Sequence, residues 1–121
     1  FFQTGGFTYD LQYHAPDDSP EYFLFTGKTG TCSDFASAYV LLARAAGLTV
    51  RYAEGYTPEA EGGNRYVIKN RDSHAFPEVF IQNIGWMVFE PTVASTGNGS
   101  PLRFLSRLRM DYGLMPCALP A

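Results

Sequence analysis

The most regular run of hydrophobic positions lies between Ser33 and Ala46. Phe35, Tyr39, Leu42 and Ala46 recur at helical spacing, and Ala36, Val40 and Ala43 line a second side. Only Asp34, Ser37 and Arg44 interrupt the pattern. A helix that is apolar around most of its circumference is expected to be buried on several sides. Gly47 follows where a left-handed C-cap residue belongs. A shorter helix is predicted upstream, with Ser19 as N-cap, Pro20 at the first helical position and Gly27 as the stop after Phe25. Ahead of it, Phe1 to Tyr13 carries aromatics at Phe7, Tyr9 and Tyr13 and reads as extended.

Past Gly47 the period changes from helical to alternating. Leu48 to Tyr56 is rich in β-formers, and Arg65 to Lys69 is a short strand-like run. His74 to Ile81 and Trp86 to Phe89 flank Gln82-Asn83-Ile84-Gly85, which reads as a hairpin loop. Ser100 to Tyr112 sets Leu102, Leu105 and Leu108 against Arg103, Arg107 and Arg109 and predicts an amphipathic basic helix. Its arginines are expected to form a solvated face, the alternative being an anionic membrane surface. Loop signals are densest at 15–20, 58–64 and 94–101. A buried helix followed by an antiparallel sheet is an α+β arrangement.

Length and charge bound the class. The chain has 121 residues, one domain at roughly 100–200 residues per domain. Hydrophobic residues at 45% and charged residues at 17% argue against a disordered tail. A net charge of −3 argues against a nucleic-acid partner, which requires a basic face. No apolar run is long enough to cross a membrane, and no signal peptide opens the chain. The chain begins Phe1-Phe2 rather than with Met. It is therefore expected to be part of a longer protein, whose targeting lies outside it.

Little material for chemistry is present: two cysteines, Cys32 and Cys117, and two histidines, His14 and His74. No CxxC, HExxH, P-loop or GxGxxG motif occurs, so no metal or cofactor is called for. Cys32 follows Thr29-Gly30-Thr31 at the start of the long helix. Unpaired backbone N–H groups and the positive end of the helix dipole point there. Both favour a thiolate, the nucleophilic form of cysteine, and the same N–H groups can stabilise an oxyanion. The plain alternative is that Cys32 is an inert, small core residue. His74 opens a strand and is the candidate partner, with His14, in a polar loop, as its competitor. Glu90 ends an otherwise apolar strand, where an unpaired carboxylate would be costly to bury. For His74 and Glu90 to share a face, the hairpin needs an odd number of loop residues or a bulge. Thr31, Ser33 and Ser73 flank these groups and are expected near the site. Asp72, just before His74, is expected to be solvated, the alternative being to tune the imidazole, and Glu78 is expected to be structural, the alternative being to line the site. A third reading pairs Cys32 with Cys117 in a disulfide.

Cysteine at a helix start, histidine on a strand and carboxylate on the next strand is the order of a nucleophile, a base and an orienter. At this point the chain resembles the bacterial transglutaminase-like domains of the transglutaminase/protease superfamily. The matching stretches are Phe23-Leu24-Phe25, Lys28-Thr29-Gly30-Thr31-Cys32-Ser33-Asp34-Phe35-Ala36-Ser37-Ala38 and Leu42-Ala43-Arg44-Ala45-Ala46-Gly47-Leu48. They continue through Arg51-Tyr52, Gly55-Tyr56, Asp72 to Val79 and Gly85 to Thr92. The resemblance covers about Phe7 to Thr92, leaving 93–121 as a C-terminal extension. It implies a papain-like α+β fold in which a central helix bearing the cysteine packs on an antiparallel sheet. It also implies a Cys-His-Asp triad, here Cys32, His74 and Glu90, with Glu in place of the usual Asp and Phe76 in place of the usual Trp.

Two functions follow from the resemblance. The first is cysteine-dependent acyl transfer or hydrolysis on an amide, transglutaminase-like or protease/amidase, through a thioester. The second is a domain that has kept the fold for peptide binding or assembly without catalysis. The implied partner is a protein or peptide substrate, cell-wall peptides included. The implied location is outside the cytoplasm, as relatives are often the outer part of a membrane-anchored protein.

Overall fold

The computed structural model of the chain describes residues 1–57, 59–63 and 65–93. The predicted basic helix at 100–112, the Asn98-Gly99-Ser100 triplet and Cys117 lie outside these residues. Strand β1 (Thr8–Tyr9) leads to helix α1 (Pro20–Tyr22), a wide helical turn at Phe23–Gly27, β2 (Thr29–Gly30) and helix α2 (Cys32–Ala45). Strands β3 (Val50–Tyr56), β4 (Glu59–Gly62) and β5 (Arg65–Val67) follow, then a short 3-10 turn at Asn70–Asp72, β6 (Ser73–Ile81) and β7 (Gly85–Val88).

Helix α2 packs against the N-terminal aromatic segment on one side and against strands β3 and β6 on the other. On one side lies an aromatic cluster of Phe2, Phe7, Phe23, Leu24, Phe35, Ala38 and Val93. Phe35 is fully buried within it, 4.9 Å edge-on from Phe23 and 5.6 Å from Phe2. On the other side Val40 and Ala43 meet Val50 of β3 and Val79 of β6. Burial on two sides is what the apolar circumference predicts. The last turn departs from that expectation, because Leu42 and Ala46 are exposed. The aromatic layer and the sheet cover only the helix up to Ala43.

The three-stranded sheet has the order β3-β6-β7 and is antiparallel throughout. Residues Ala75, Pro77 and Val79 of β6 are buried, at the period of two that a half-buried strand requires. Across β3 and β6, Arg51 opposes Glu78, and Arg51 Nε lies 2.5 Å from Glu78 Oε2. The Arg51 guanidinium also stacks 4.2 Å over the Trp86 ring. Ile81 pairs with Gly85, so the β6–β7 loop holds only Gln82, Asn83 and Ile84. Gly85, predicted to belong to the loop, is instead the first strand residue, with φ at 107°.

Pro77 stands inside the central strand, where a residue without an N–H is rarely tolerated. Its carbonyl accepts a hydrogen bond from Phe89 N at 2.9 Å, but it returns none. The ladder with β7 stops there, at Val88. The defect thus falls where the sheet edge has to open.

Three other expectations are corrected. The upstream helix closes through the wide turn Phe23–Gly27, and Lys28, not Gly27, takes the left-handed conformation at φ 51°. Gly27 is required for space: a Cβ there would meet the Tyr22 ring at 2.6 Å. Of Phe1 to Tyr13, only Thr8–Tyr9 is strand; these residues pair in parallel with Thr29–Gly30. The loop expected at 58–64 contains β4 and turns at Gly63 into β5.

The approach to α2 is fixed by Asp34. Its Oδ2 accepts from Thr31 N at 2.7 Å and from the Thr31 hydroxyl at 3.0 Å, tying the helix to the residue that precedes it. The carboxylate lies so close over Gly30 that a Cβ there would meet Asp34 Oδ2 at 2.5 Å. Gly30→Ala is therefore expected to push Asp34 off Thr31 and cost about 1 kcal/mol, the scale of a lost helix cap. Urea unfolding measures it, and a variant as stable as the wild type would contradict this packing.

Candidate active site

Cys32 is the first residue of α2, and Thr31 before it is extended (φ −101°, ψ 178°). The amides of Asp34 and Phe35 are bonded to Thr31 O. Those of Cys32 and Ser33 have no acceptor within the helix, as befits its first turn. The thiol is only partly buried and sits at the N-terminus of the helix. The side-chain hydroxyl of Ser33 reaches the Cys32 sulfur and also the hydroxyl of Tyr52 on β3.

His74 and Glu90 are brought together by the hairpin register. Ile81 pairs with Gly85 and Glu78 with Val88 across a loop of odd length. Continuing that register past Val88 puts Glu90 and His74 on one face, as diagonal neighbours. His74 Nε2 is hydrogen-bonded to Glu90 Oε2. The Glu90 side chain is only 2% exposed. Its other oxygen, Oε1, accepts from Thr92 N at 2.9 Å. The carboxylate is thus buried with both oxygens engaged.

The thiol completes the chain. Cys32 is hydrogen-bonded to His74. With Nε2 held by Glu90, Nδ1 is the ring nitrogen left for the sulfur. The sulfur also accepts from the backbone N–H of Ala75. Backbone groups two residues apart on a strand point to the same side, and Pro77 O points toward β7. Ala75 N–H therefore projects from the edge of β6 that β7 has vacated, and the thiol fills that place.

These contacts decide the charges. Burial raises the Cys32 pKa, but hydrogen bonds from His74 and Ala75, the imidazolium charge and the Ser33 hydroxyl outweigh it and bring the thiol below its ordinary 9.0. Burial also opposes charge on His74. The bonds to Cys32 and Glu90 and the charges of both overcome that and raise the imidazole from 6.5 to about 9. Both shifts run in the direction of a thiolate beside an imidazolium.

The other residues singled out from the sequence fall into two groups. Ser33 lies beside the thiol. Thr31 does not serve the site directly, because its N–H and hydroxyl both go to Asp34. Ser73 is exposed, and its amide is spent on Asn70 O. His14 is exposed in the loop after β1. Asp72, expected in solvent, is 8% exposed, and its carboxylate accepts from Lys69 N at 2.7 Å, closing the turn before β6. Glu78 is structural, held by Arg51.

Sequence reasoning missed Tyr9, Tyr52, Thr92 and the Ala75 amide. Tyr9 lies in the electrostatic field of both Cys32 and Glu90, and Tyr52 in that of Cys32. Neither tyrosine sits in a motif, and β1 reaches the site only through its pairing with β2. Tyr52 also borders an open groove of about 330 Å³ lined by Pro20, Ser37, Val40, Leu41 and Arg44. Among the described residues no group of three or more His, Cys, Asp or Glu side chains gathers in a way that would hold a metal.

Known proteins give this geometry a family. Uncharacterized protein YebA of Bacillus subtilis is 35% identical over 123 residues, covering 93% of this chain and 16% of YebA. The protein-glutamine gamma-glutamyltransferase of Pseudomonas aeruginosa is 33% identical over 89 residues, covering 71% of this chain and 13% of that protein. The chain thus spans less than a fifth of the curated relatives it matches. Two crystal structures of the periplasmic domain of TgpA from Pseudomonas aeruginosa share the fold. The ethylmercury-bound form has a TM-score of 0.67 and 31% identity, over 78% of this chain and 35% of that one. The second has a TM-score of 0.66 and 28% identity, over 93% and 37%. The family model of the transglutaminase-like superfamily matches residues 3–91. With a helix-borne cysteine packed on an antiparallel sheet as that fold requires, the chain belongs to the transglutaminase-like superfamily.

Proposed function

We propose that this domain catalyses acyl transfer from an amide through a thioester on Cys32, with His74 as the proton carrier and Glu90 as its orienter. The observation that carries the reading is the unbroken hydrogen-bonded chain from the partly exposed thiol through the imidazole to the buried Glu90 carboxylate. A domain retained only for binding has no need to bury a carboxylate behind a histidine.

The steps follow from the charges. The Cys32 thiolate attacks the amide carbon, and the carbonyl pair moves onto oxygen. The Cys32 backbone N–H faces that oxyanion. The intermediate collapses, the carbon–nitrogen bond breaks, and the His74 imidazolium gives its proton to the leaving amine or ammonia. The neutral imidazole then takes a proton from the acceptor as it attacks the thioester, and the thiolate leaves. Glu90 keeps the ring oriented throughout and stabilises its charged form.

A primary amine as acceptor makes the reaction a transglutamination, and water makes it a hydrolysis. The relative named as a protein-glutamine gamma-glutamyltransferase supports a glutamine side chain as acyl donor and an amine as acceptor. The substrate is accordingly a protein or peptide, cell-wall peptides included. The periplasmic origin of the solved neighbours supports a site of action outside the cytoplasm.

Incubation with a glutaminyl peptide, with and without a primary amine, tests the reading. Mass spectrometry is expected to show the amide-linked amine adduct in the first case and the deamidated peptide in the second, both abolished in Cys32→Ala. Activity that survives Cys32→Ala would overturn it. The pH profile carries a further prediction. Imidazolium is lost as pH rises through the His74 pKa, so the falling limb of kcat/KM lies near pH 9. Glu90→Gln removes a group that raises that pKa and leaves burial opposing the charge. The falling limb is expected to move to lower pH, with a loss of about 10²-fold or more at pH 8. An unchanged limb would show that Glu90 does not hold the imidazole.

A further inference from the structure

An oxyanion site of this kind works with more than one donor aimed at the developing charge. The Cys32 backbone N–H is one. Ser33 is not available as the other, since its hydroxyl lies between the Cys32 sulfur and Tyr52. Tyr52 is not either: it is 37% exposed and donates its hydroxyl to Glu54 Oε1 at 2.9 Å. Tyr9 remains.

The placement of Tyr9 comes from β1. In its parallel pairing with β2, Tyr9 opposes Gly30, two residues before Cys32, and Asp10 N donates to Gly30 O at 3.0 Å. Phe7 and Tyr9 lie on the same side of the strand by its period of two. Phe7 is buried in the aromatic cluster beside Phe35, and the Tyr9 ring packs on that cluster. Val93, three residues past Glu90, belongs to the same cluster. The ring therefore packs on a cluster that also holds Phe35 of the cysteine's helix and Val93 of the segment after Glu90, and it lies within electrostatic reach of both Cys32 and Glu90. Its residue is half-buried, and its hydroxyl makes no hydrogen bond to another described residue.

We propose that the Tyr9 hydroxyl is the second donor to the oxyanion formed when Cys32 attacks its substrate, acting together with the Cys32 backbone N–H. The inference rests on the acyl-transfer reading above. As the Sγ–C bond forms and the carbonyl pair moves onto oxygen, the phenol donates its hydrogen bond to that oxygen and keeps its proton. As the leaving group departs with the proton from His74, the carbonyl re-forms and the bond weakens. Burial, reinforced by the charges of Cys32 and Glu90, pushes the phenol above its ordinary 10.0, so it stays a donor wherever the thiolate–imidazolium pair exists.

Two reagents separate this role from a merely structural one. Iodoacetamide alkylates the thiolate without forming an oxyanion; p-nitrophenyl acetate acylates it through one. Tyr9→Phe keeps the ring in its cluster and removes only the hydroxyl. The expected result is an alkylation rate and pH profile like those of the wild type, with the acylation burst slowed on the order of 10²-fold. Acylation at the wild-type rate would overturn the proposal. Equal slowing of both reactions, or a shifted alkylation profile, would also overturn it, placing Tyr9 behind the charge pair instead. A wild-type protein that is alkylated but never acylated would defeat the acyl-transfer reading and this inference together. A wild type acylated by the ester but inert toward glutaminyl peptides removes only the choice of glutamine, and the comparison with Tyr9→Phe still decides the role of the hydroxyl.

Discussion

A carboxylate that is 2% exposed is the constraint from which the rest of the site follows. Moving such a group out of water costs several kcal/mol even after relaxation. Glu90 meets that cost with one bond to the Thr92 amide and one to the His74 ring. The second bond is worth most when the ring carries a positive charge. The imidazole is accordingly pulled toward its protonated form, and the proton it keeps comes at the expense of the thiol. The thiol on one side of the ring and the buried acid on the other therefore both favour the charged imidazole.

The surrounding fold makes that line geometrically possible. Three loop residues, rather than four, place Glu90 on the face of His74. Pro77 ends the ladder with β7, so the chain past Phe89 can turn inward and the Ala75 amide is left to the sulfur. Asp34 locks Thr31 over a glycine that leaves room for it, so that Cys32 begins the helix at a fixed angle. Fully buried Phe35, one turn into α2, anchors the helix beneath the site. Together these features bring side chains from α2, from β6 and from the segment after β7 to one place.

How much of this was legible in the sequence differs from residue to residue. The helical spacing from Phe35 to Ala43 announced a buried helix, and Cys32 stood visibly at its start. The order of Cys32, His74 and Glu90 suggested three cooperating groups, and the matching stretches supplied the family. The register that joins His74 to Glu90 was not legible, because Gly85 serves equally well as a loop residue and as the first residue of a strand with positive φ. Leu42 and Ala46 followed the helical period yet lie exposed, since period says where a side chain points and not what covers it. Asp72 read as solvated because its acceptor role toward Lys69 depends on a turn that no pattern marks. Tyr9 was invisible as a site residue: its neighbour Gly30 is distant in sequence, and pairing at that range leaves no local signature.

In the proposed mechanism Glu90 holds His74 as an imidazolium beside a thiolate. Nitrogen-15 NMR of the histidine rings reads this directly, with His74 distinguished from the exposed His14 by substitution of the latter. The expected result is a His74 ring protonated on both nitrogens at pH 7 and titrating near pH 9. A ring that is neutral at pH 7 and titrates at or below the ordinary 6.5 would contradict it.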